Sequence, residues 1–315
     1  MSFPLLRLPD LALEEVLEQL IPKEILFLAQ TSLQARRRIS RHRKSYTVEI
    51  RVEDEDSGSF VEISRDCQED FRIQVKNTRK RFDSSWRFQR SVPVRYEGDT
   101  LVSQWKQIDT AIQEILDFLM EIFQIEKVSF RICGSIDTHS AVLIVEHCIS
   151  KNLKIGTIWW PFCKTDEIDK RILEASKHAS DLCIIESRSS TICFNDFHLF
   201  RMYRLEILNA RWMTVEQIVA LRNCKQVELG YVRFDEESLN KILLGWMEDA
   251  GELEEVAICT HRRLEMEDVI IGLNLVRVQG GRNLKYYFIT HNGTLFSVKA
   301  SSAKSIVMKR EEWEE

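Results

Sequence analysis

Apolar side chains recur at helical spacing in the first forty residues of the chain. One stripe occupies positions i, i+3, i+4 and i+7 and consists of Leu13, Val16, Leu17 and Leu20. Such a stripe predicts an amphipathic helix, and Asp10 is the residue expected to cap it. Pro22 predicts the start of a second helix, because proline is favoured at the first helical position. A segment this short holds more apolar surface than it can bury within itself, so the pattern predicts a partner.

From Tyr46 the period of the pattern changes from helical to alternating. Apolar and polar residues alternate in three runs, which are Val48–Val52, Phe60–Ile63 and Phe71–Val75. Alternation of this kind predicts half-buried strands, with the polar run 53–58 as the turn between the first two. We therefore predict a small antiparallel β region at residues 45–100. Pro93 cannot donate a ladder hydrogen bond, so the last strand of this region is expected at an edge.

Beyond residue 101, predicted helices and short apolar strands follow one another along the chain. The helices are expected at about Ser103–Phe123, Ser140–Lys151, Asp166–Ala179, Thr214–Leu221 and Asp235–Met247. Each strand carries one central apolar anchor, and the anchors are Val128, Ile155, Leu182, Leu205, Val227 and Val256. They are 22 to 29 residues apart, a period typical of leucine-rich repeats, whose strands stack in parallel. Asn292-Gly293 predicts a hairpin with a type I′ turn that caps the C-terminal end.

These patterns divide the chain into three predicted parts. Residues 1–44 form a helical module, residues 45–100 the antiparallel β region, and residues 101–315 an irregular leucine-rich-repeat-like βα solenoid. The predicted fold class is accordingly α+β to α/β. A doubly wound nucleotide-binding enzyme would also alternate strands and helices, but it needs a glycine-rich first turn. Here the strand ending at Ile132 is followed by a lone Gly134.

Composition narrows the classes of function. The chain has 315 residues and a net charge of -5, which argues against a nucleic-acid binder that acts through its overall field. No run of eighteen apolar residues occurs, so we expect no membrane span. The sequence contains no motif of nucleophilic or metal-dependent catalysis, and we expect neither a cofactor nor enzymatic activity. The eight cysteines form no C-x-x-C pair and are interpreted as reduced, mostly buried thiols of a cytoplasmic or nuclear protein.

Two clusters leave alternatives open. The basic run between Arg36 and Lys44 is interpreted as the solvated end of a third helix, with a nuclear-localisation or phosphate-binding patch as the alternative. The cluster of His139, His147 and Cys148 is interpreted as packing or surface residues, with a metal site as the alternative.

The N-terminal module resembles the F-box, a short helical domain that docks onto the Skp-type adaptor of cullin–RING ubiquitin ligases. The resemblance covers about Phe3–Ile39 and rests on the Leu8-Pro9 entry, the leucine-rich first helix and the proline-started second helix. It implies that the chain binds the adaptor, and through it the cullin–RING ligase. The residues implied in adaptor binding are Phe3, Pro4, Leu5, Leu8, Pro9, Leu13, Val16, Leu17, Leu20, Pro22 and Ile25.

The C-terminal part, over roughly Tyr203–Val307, resembles the type 2 F-box-associated domain of the nematode-expanded F-box family. The likeness rests on Trp212 and Trp246, which bracket one repeat, and on the helix end Leu243–Met247. It implies a non-catalytic receptor that holds a protein substrate near the ubiquitin carrier. A partner-binding repeat protein of a non-ubiquitin assembly is the alternative function.

Side chains that flank the strand anchors are expected to point outward, because side chains alternate along a strand. Charged residues at these positions change along the predicted solenoid from basic to acidic. We therefore predict that a substrate segment of complementary polarity binds across the strands. The residues predicted to bind it are Arg131, Lys154, Arg204, Glu206, Glu228 and Glu255.

Overall fold

The computed structural model of the chain describes residues 7–52, 59–65, 68–77, 82, 84–133, 138–161, 166–185, 194–280 and 284–312. The chain divides into two compact units, Met1–Gly156 and Thr157–Glu315. In the first unit the helices are α1 (Asp10–Gln19), α2 (Pro22–Thr31), α3 (Leu33–Ile39), α4 (Ile108–Ile122) and α5 (Thr138–Ser150). Its strands are β1 (Ser45–Val52), β2 (Ser59–Arg65), β3 (Gln68–Lys76), β4 (Ser84–Arg87), β5 (Ser91–Glu97), β6 (Thr100–Gln104) and β7 (Gln124–Ile132).

The strands of the first unit form a mixed sheet in the order β4-β5-β6-β3-β2-β1-β7. Neighbouring strands are antiparallel except for the parallel pairs β3–β6 and β1–β7. In the β1–β7 pair Val48 lies opposite Val128 and Ile50 lies opposite Phe130, and all four side chains are buried. Burial alternates along β1, which is the pattern of a strand with one face on a core.

The predicted β region at residues 45–100 is therefore part of a larger sheet that is not purely antiparallel. Strand β1 pairs with a strand from much later in the chain, because α4 packs on β2, β3 and β7 and returns the chain to the same sheet. The two compact units meet between Gly156 and Thr157, and the predicted domain boundaries after residues 44 and 100 stay predictions. Pro93 lies in β5 opposite Ser85, and β4 is the edge strand instead. The predicted turn at 53–58 lies outside the described residues.

Helix α4 begins at Ile108, later than the predicted start near Ser103. The residues before it form strand β6, in which Leu101 and Val102 are buried. The Ser103 hydroxyl donates a hydrogen bond to the Gln74 carbonyl at 2.8 Å. Pairing of β6 with both β3 and β5 outweighs the local helical pattern, as tertiary context often does.

In the second unit the helices are α6 (Asp166–Ser176), α7 (Val215–Val219), α8 (Glu236–Glu248) and α9 (Met266–Val269). The strands are β8 (Ile155–Trp160), which begins in the last residues of the first unit, β9 (Ala179–Ile184), β10 (Arg204–Ile207), β11 (Gln226–Val232), β12 (Glu255–Thr260), β13 (Leu275–Gln279), β14 (Lys285–Ile289), β15 (Leu295–Ser302) and β16 (Ser305–Arg310). Their order is β8-β9-β10-β11-β12-β16-β15-β14-β13. Strands β9 to β12 are parallel. The pairs β12–β16, β16–β15, β15–β14 and β14–β13 are antiparallel.

The four strand anchors of the parallel segment are in register. Leu205 lies opposite Leu182 on one side and Val227 on the other, and Val227 lies opposite Val256. All four are buried. These neighbouring strands are parallel, as predicted, whereas the repeat architecture stays a prediction. The connections differ in kind, since α8 follows β11, α7 and a 3₁₀ turn follow β10, and only a 3₁₀ helix, Asp196–Leu199, is described between β9 and β10.

Thr214 and Gln217 have the residue types and the spacing that predict a capping box, and they form one at the start of α7. The Gln217 N–H donates a hydrogen bond to Thr214 Oγ1 at 3.3 Å, and the Thr214 N–H donates to Gln217 Oε1 at 3.0 Å. Trp212 and Trp246 are buried on either side of this segment of the sequence, and the Trp246 Nε1–H donates to the Val219 carbonyl at 3.3 Å. These contacts hold α7 and α8 in place.

Strands β14 and β15 form the predicted hairpin around Asn292-Gly293, with Ile289 opposite Leu295. The turn is not type I′, because Gly293 has a φ of 82° whereas Asn292 does not have a positive φ. The Gly293 N–H donates to the Thr290 carbonyl at 2.9 Å. Strand β16, and not this hairpin, pairs with β12, and the His291 N–H in the turn donates a hydrogen bond to the Met247 carbonyl of α8 at 2.9 Å.

A β-bulge interrupts β11 at Gly230 and Tyr231. The register against β12 shifts between Leu229 and Val232, and Tyr231 has a φ of 53°, a left-handed conformation that costs an L-residue roughly 1–2 kcal/mol. Gly230 lies so close to Leu208 that a Cβ atom would be 2.2 Å from the Leu208 carbonyl oxygen. The Tyr231 side chain is exposed beside this close contact.

Candidate functional site

Helix α1 begins directly after Pro9 and is held by α3. The Pro9 carbonyl accepts a hydrogen bond from the Leu13 N–H at 2.9 Å. Asp10 is the first helical residue, so the prediction that it caps the helix is wrong. Its carboxylate accepts a hydrogen bond from Arg38 Nη2 at 2.6 Å, which lowers the pKa of Asp10. Pro22 is the first residue of α2, as predicted.

The residues predicted to contact an adaptor fall into three groups by burial. The buried group, in which Leu17 is 2% exposed, consists of Leu13, Leu17, Pro22 and Ile25. The half-buried group consists of Leu8, Val16 and Leu20. Pro9 is exposed, and Phe3, Pro4 and Leu5 lie outside the described residues. The predicted docking surface includes the whole stripe, whereas the centre of the stripe lies in the core, because the helices must bury their most apolar stripe to fold.

The most exposed large apolar side chains in the described part of the segment from α1 to α3 are those of two residues. Neither of them is among the residues predicted to bind an adaptor. Leu11 is 78% exposed and Ile21 is 54% exposed. Leu11 lies off the buried stripe of α1, and Ile21 lies in the link that precedes Pro22. Their position in the sequence could have identified them as surface residues, since each is apolar and lies outside the stripe that α1 buries in the core.

Helix α2 packs on the sheet of its unit through Phe27. The Phe27 ring stacks on Tyr96 with 5.2 Å between centroids and meets Trp86 edge-on at 5.7 Å. One turn further along, Gln30 and Arg87 exchange two hydrogen bonds. The Arg87 N–H donates to Gln30 Oε1 at 2.8 Å, and Gln30 Nε2 donates to the Arg87 carbonyl at 3.2 Å.

Arg36 ties α3 to the same strands. Its guanidinium is buried and donates hydrogen bonds to the carbonyls of Arg87 and, at 3.4 Å, of Phe88. Arg36 Nη1 lies 3.6 Å from a carboxylate oxygen of Glu121, and the guanidinium lies 4.6 Å from the centroid of Phe118. Burial lowers the pKa of Arg36, and Glu121 acts in the opposite direction. A buried cation with this many partners is costly to alter.

Three further members of the basic run also bind main-chain oxygens. Arg38, Arg43 and Lys44 donate hydrogen bonds at 2.9, 3.0 and 3.3 Å to the carbonyls of Leu8, Met120 and Leu20, respectively. Arg37 and Arg41 are exposed. The interpretation of the run as a solvated helix end is therefore wrong for Arg36, Arg38 and Lys44, which are buried or half-buried and bind carbonyls of neighbouring segments, whereas Arg43 is exposed as well as bound.

The residues predicted to bind a substrate lie in both units. In the first unit Arg131 is exposed on β7, opposite Arg51 of β1. Its Nε lies 3.6 Å from a carboxylate oxygen of Glu49, so part of its charge is compensated. Lys154 is exposed just before β8.

In the second unit the predicted residues compensate one another. Arg204 Nη2 lies 3.1 Å from the Glu206 carboxylate and 3.0 Å from that of Glu228. Glu255 lies 3.9 Å from Lys309 Nζ on the neighbouring β16. The structure brings Arg204, Glu206 and Glu228 together, but the predicted basic residue is paired with the predicted acidic ones.

Cys183 belongs to the same part of the sheet, where it lies opposite Glu206. Burial raises the pKa of Cys183 to about 11, and the nearby Glu206 carboxylate acts in the same direction. Burial likewise raises the pKa of Cys148 and Cys224 to about 12. These three thiols are protonated at neutral pH and pack as small apolar groups, as predicted. Cys67, Cys163 and Cys193 lie outside the described residues.

His147, one of the residues of the predicted His139–Cys148 cluster, contacts the carboxylate of Asp117. His147 Nε2 lies 3.1 Å from Asp117 Oδ1, which Lys151 Nζ also approaches at 3.1 Å. Over the part of the chain that the structure describes, no group of three His, Cys, Asp or Glu side chains is placed to hold a metal ion. In the same ranges no helix has both the length and the apolar character needed to cross a bilayer.

Comparisons with known proteins identify the N-terminal helices. The family model of the F-box domain matches residues 5–45, which include α1, α2 and α3. The chain is 23% identical over 301 residues to the Caenorhabditis elegans protein named Skn-1 dependent zygotic transcript 15 protein, and the alignment covers 89% of this chain and 85% of the relative. No solved structure matches the chain. The chain therefore carries an F-box domain at residues 5–45 and is an F-box protein.

Proposed function

We propose that the chain is the substrate-recognition subunit of a Skp–cullin–F-box ubiquitin ligase. The observation that carries the proposal is the F-box domain at residues 5–45, because F-box domains bind Skp-type adaptors. The rest of the chain has ample surface for a second partner. The role is non-catalytic, since a receptor of this kind acts by holding its substrate near the charged ubiquitin carrier and so raising the effective concentration of the substrate lysine.

The proposed docking surface consists of exposed Pro9, Leu11 and Ile21, bordered by half-buried Leu8, Val16 and Leu20. Covering the side chains of Leu11 and Ile21 would contribute roughly 1.5–3 kcal/mol each. We keep Phe3, Pro4 and Leu5 in the proposed docking surface on the basis of the sequence alone. The buried residues Leu13, Leu17, Pro22 and Ile25 support the surface from beneath by packing.

The proposed substrate receptor is an irregular leucine-rich-repeat-like domain of the type 2 F-box-associated class. The in-register anchors Leu182, Leu205, Val227 and Val256 support its repeat character. The similarity to a C. elegans protein supports membership of the nematode-expanded family. The proposed substrate contacts remain Arg131, Lys154, Arg204, Glu206, Glu228 and Glu255. Because Arg204 is bound to Glu206 and Glu228, a substrate there has to exchange these ion pairs for its own.

The experiment that tests the proposal is a reconstitution with the full chain and a Skp-type adaptor. The complex is mixed with cullin–RING, ubiquitin-activating enzyme, ubiquitin carrier and ubiquitin, and cell proteins captured by the chain are analysed for ubiquitin conjugates. We expect cullin recruitment and conjugates on a defined set of captured proteins. Both should be lost in the double variant L11E/I21E, which alters only exposed positions.

Two outcomes would overturn the proposal. Undiminished adaptor binding by L11E/I21E would place docking elsewhere in the chain. Adaptor binding without cullin recruitment or conjugates would instead favour a partner-binding protein of a non-ubiquitin assembly.

A further inference from the structure

Strand β13 is an unprotected edge of the second unit. Among the described strands it pairs with β14 alone, and each of its five residues is exposed. Val276 is 47% and Val278 is 52% exposed. Sheet edges are usually protected by several charges, a proline or a covering segment, because their unpaired main-chain groups accept a further strand. The protection of β13 is limited to a bulge near its start and one charge, Arg277.

One face of β13 extends a row of buried cross-strand neighbours to a position where the side chain is exposed. Val278 lies opposite Tyr286, Tyr286 lies opposite Val298, and Val298 lies opposite Met308. The last three are buried, whereas Val278 is not. Leu275 lies opposite buried Phe288 in the same way and is itself exposed. A strand added beside β13 would therefore cover apolar surface with every second side chain.

The other face of β13 is cationic. Arg277 lies opposite Tyr287, with its guanidinium 4.8 Å from the ring centroid, and Lys285 Nζ lies 4.9 Å from the same centroid. Lys285 is paired with Glu311 at 2.8 Å. In the described ranges Arg277 has a hydrogen bond to Gln279 Oε1, at 2.5 Å, and no carboxylate within ion-pair distance. Arg277 is thus the charge that an incoming strand can neutralise.

We propose that β13 is a strand-addition site for an extended peptide segment in which apolar residues alternate with Asp or Glu. Main-chain hydrogen bonds to the free edge supply binding, and alternate side chains supply selectivity. The apolar side chains cover Leu275 and Val278, and an acidic one binds Arg277. A second copy of β13 is a poor occupant, because two such strands place two arginines and no acid on one face. This site is independent of the F-box and of the residues around Arg204.

The test uses the full chain and a labelled synthetic peptide of about eight residues, a typical strand length, in which valine alternates with glutamate. We expect saturable binding by fluorescence anisotropy. A peptide in which lysine replaces glutamate should bind at least about tenfold more weakly, because it meets a like charge. The valine–glutamate peptide N-methylated at every residue, so that neither edge can donate hydrogen bonds, should not bind.

Variants of exposed residues assign the binding to β13. R277E should reverse the preference, so that the lysine peptide binds better than the glutamate peptide. The double variant L275K/V278K should lose binding of both peptides. The matched control R201E changes an exposed arginine just before β10, six strands away in the sheet order, and should behave like the wild type.

Several results would overturn the proposal. They are the absence of saturable binding, equal binding of the N-methylated peptide, and an unchanged preference in R277E. Concentration-dependent dimerisation that V278K abolishes would show that the occupant is a second copy of the chain.

Discussion

The guanidinium of Arg36 in helix α3 donates a hydrogen bond to the carbonyl of Arg87 at the end of strand β4. Arg87 is also bound by Gln30 of α2 through its N–H and its carbonyl. Two helices of the F-box are thus anchored to one residue of the sheet, and Phe27 adds ring contacts to the same strands. The F-box is therefore a fixed part of its unit and does not hang from a flexible link.

Loss of the Arg36 anchor should destabilise the chain. We expect R36Q to lower the free energy of unfolding by about 1.5–3 kcal/mol, the contribution of hydrogen bonds from a charged group, because the Arg87 and Phe88 carbonyls lose a donor. The neighbouring R37Q changes an exposed arginine and should stay within about 0.5 kcal/mol of the wild type. Urea denaturation of the full chain measures both, and equal effects would contradict the anchor role.

Substitutions at exposed and buried positions of α1 should affect adaptor docking and folding separately. L11E is expected to abolish co-purification with a Skp-type adaptor and to leave the circular dichroism spectrum unchanged, since Leu11 is exposed. L17E should instead unfold the helical module, because it buries a charge in the core without a partner. Adaptor binding that survives L11E, I21E and their combination would exclude the proposed surface.

The ion pair between Arg204 and Glu228 allows a test of the substrate face. E228R should abolish substrate capture but change stability by no more than about 1 kcal/mol, because both groups are half exposed. The swapped double variant R204E/E228R restores the attraction between the two side chains. Because Glu206 loses its partner Arg204 in this variant, it should recover only part of the stability and none of the capture, as measured by thermal unfolding and by mass spectrometry of captured proteins. In the first unit, R131E is expected to lose capture in the same way.

Glycine at position 230 should be indispensable for the bulge in β11. In G230A the new Cβ would lie 2.2 Å from the Leu208 carbonyl oxygen, so one of the two segments has to move. We expect the free energy of unfolding to fall by more than about 2 kcal/mol, as in other severe point mutations. G272A is the control. Gly272 has a positive φ, of 75°, but a Cβ atom added there meets no other atom within 4 Å. It should lose only about 1 kcal/mol. Thermal unfolding that ranks the two variants in the opposite order would be inconsistent with this geometry.

The start of helix α8 should give stability a dependence on acid pH. The Ser238 hydroxyl and N–H donate hydrogen bonds to Asp235 Oδ1, which lowers the pKa of Asp235 from its ordinary 3.8. The stabilisation is complete above pH 3.8 and is lost as the pH falls through the lower, folded-state pKa. D235A should cost about 1 kcal/mol at pH 7. D235N should keep the cap and lose this part of the pH dependence, as measured by denaturation at pH 7 and below pH 4.

The features that were predicted from sequence are those written in local pattern. The proline start of α2, the capping box of Thr214 and Gln217, and the hairpin near Gly293 each depend on a few adjacent residues. The register of the anchors from Leu182 to Val256 could be predicted because a repeated period encodes neighbouring strands.

The features that were missed depend on contacts between distant segments. The parallel pair β1–β7 joins strands separated by β2 to β6 and α4, and no periodicity reports such a pairing. Arg36 was indistinguishable from Arg37 in the sequence, because only the position of the Arg87 and Phe88 carbonyls makes one buried and the other exposed. The pairing of Arg204 with Glu228 was missed for a related reason, since the two residues lie on adjacent strands that are more than twenty residues apart in the sequence.

The parallel pair β1–β7 also orders events during synthesis of the chain. The F-box is complete at residue 45, but β1 gains its second partner, after β2, only when Gln124–Ile132 has left the ribosome. At a typical elongation rate this interval lasts roughly 4–17 s. For part of that time Phe27 and Arg36 have not yet met Trp86 and Arg87, and the nascent F-box exposes the surface that they later cover. An adaptor or chaperone that binds during translation therefore meets a different F-box from one that binds after release.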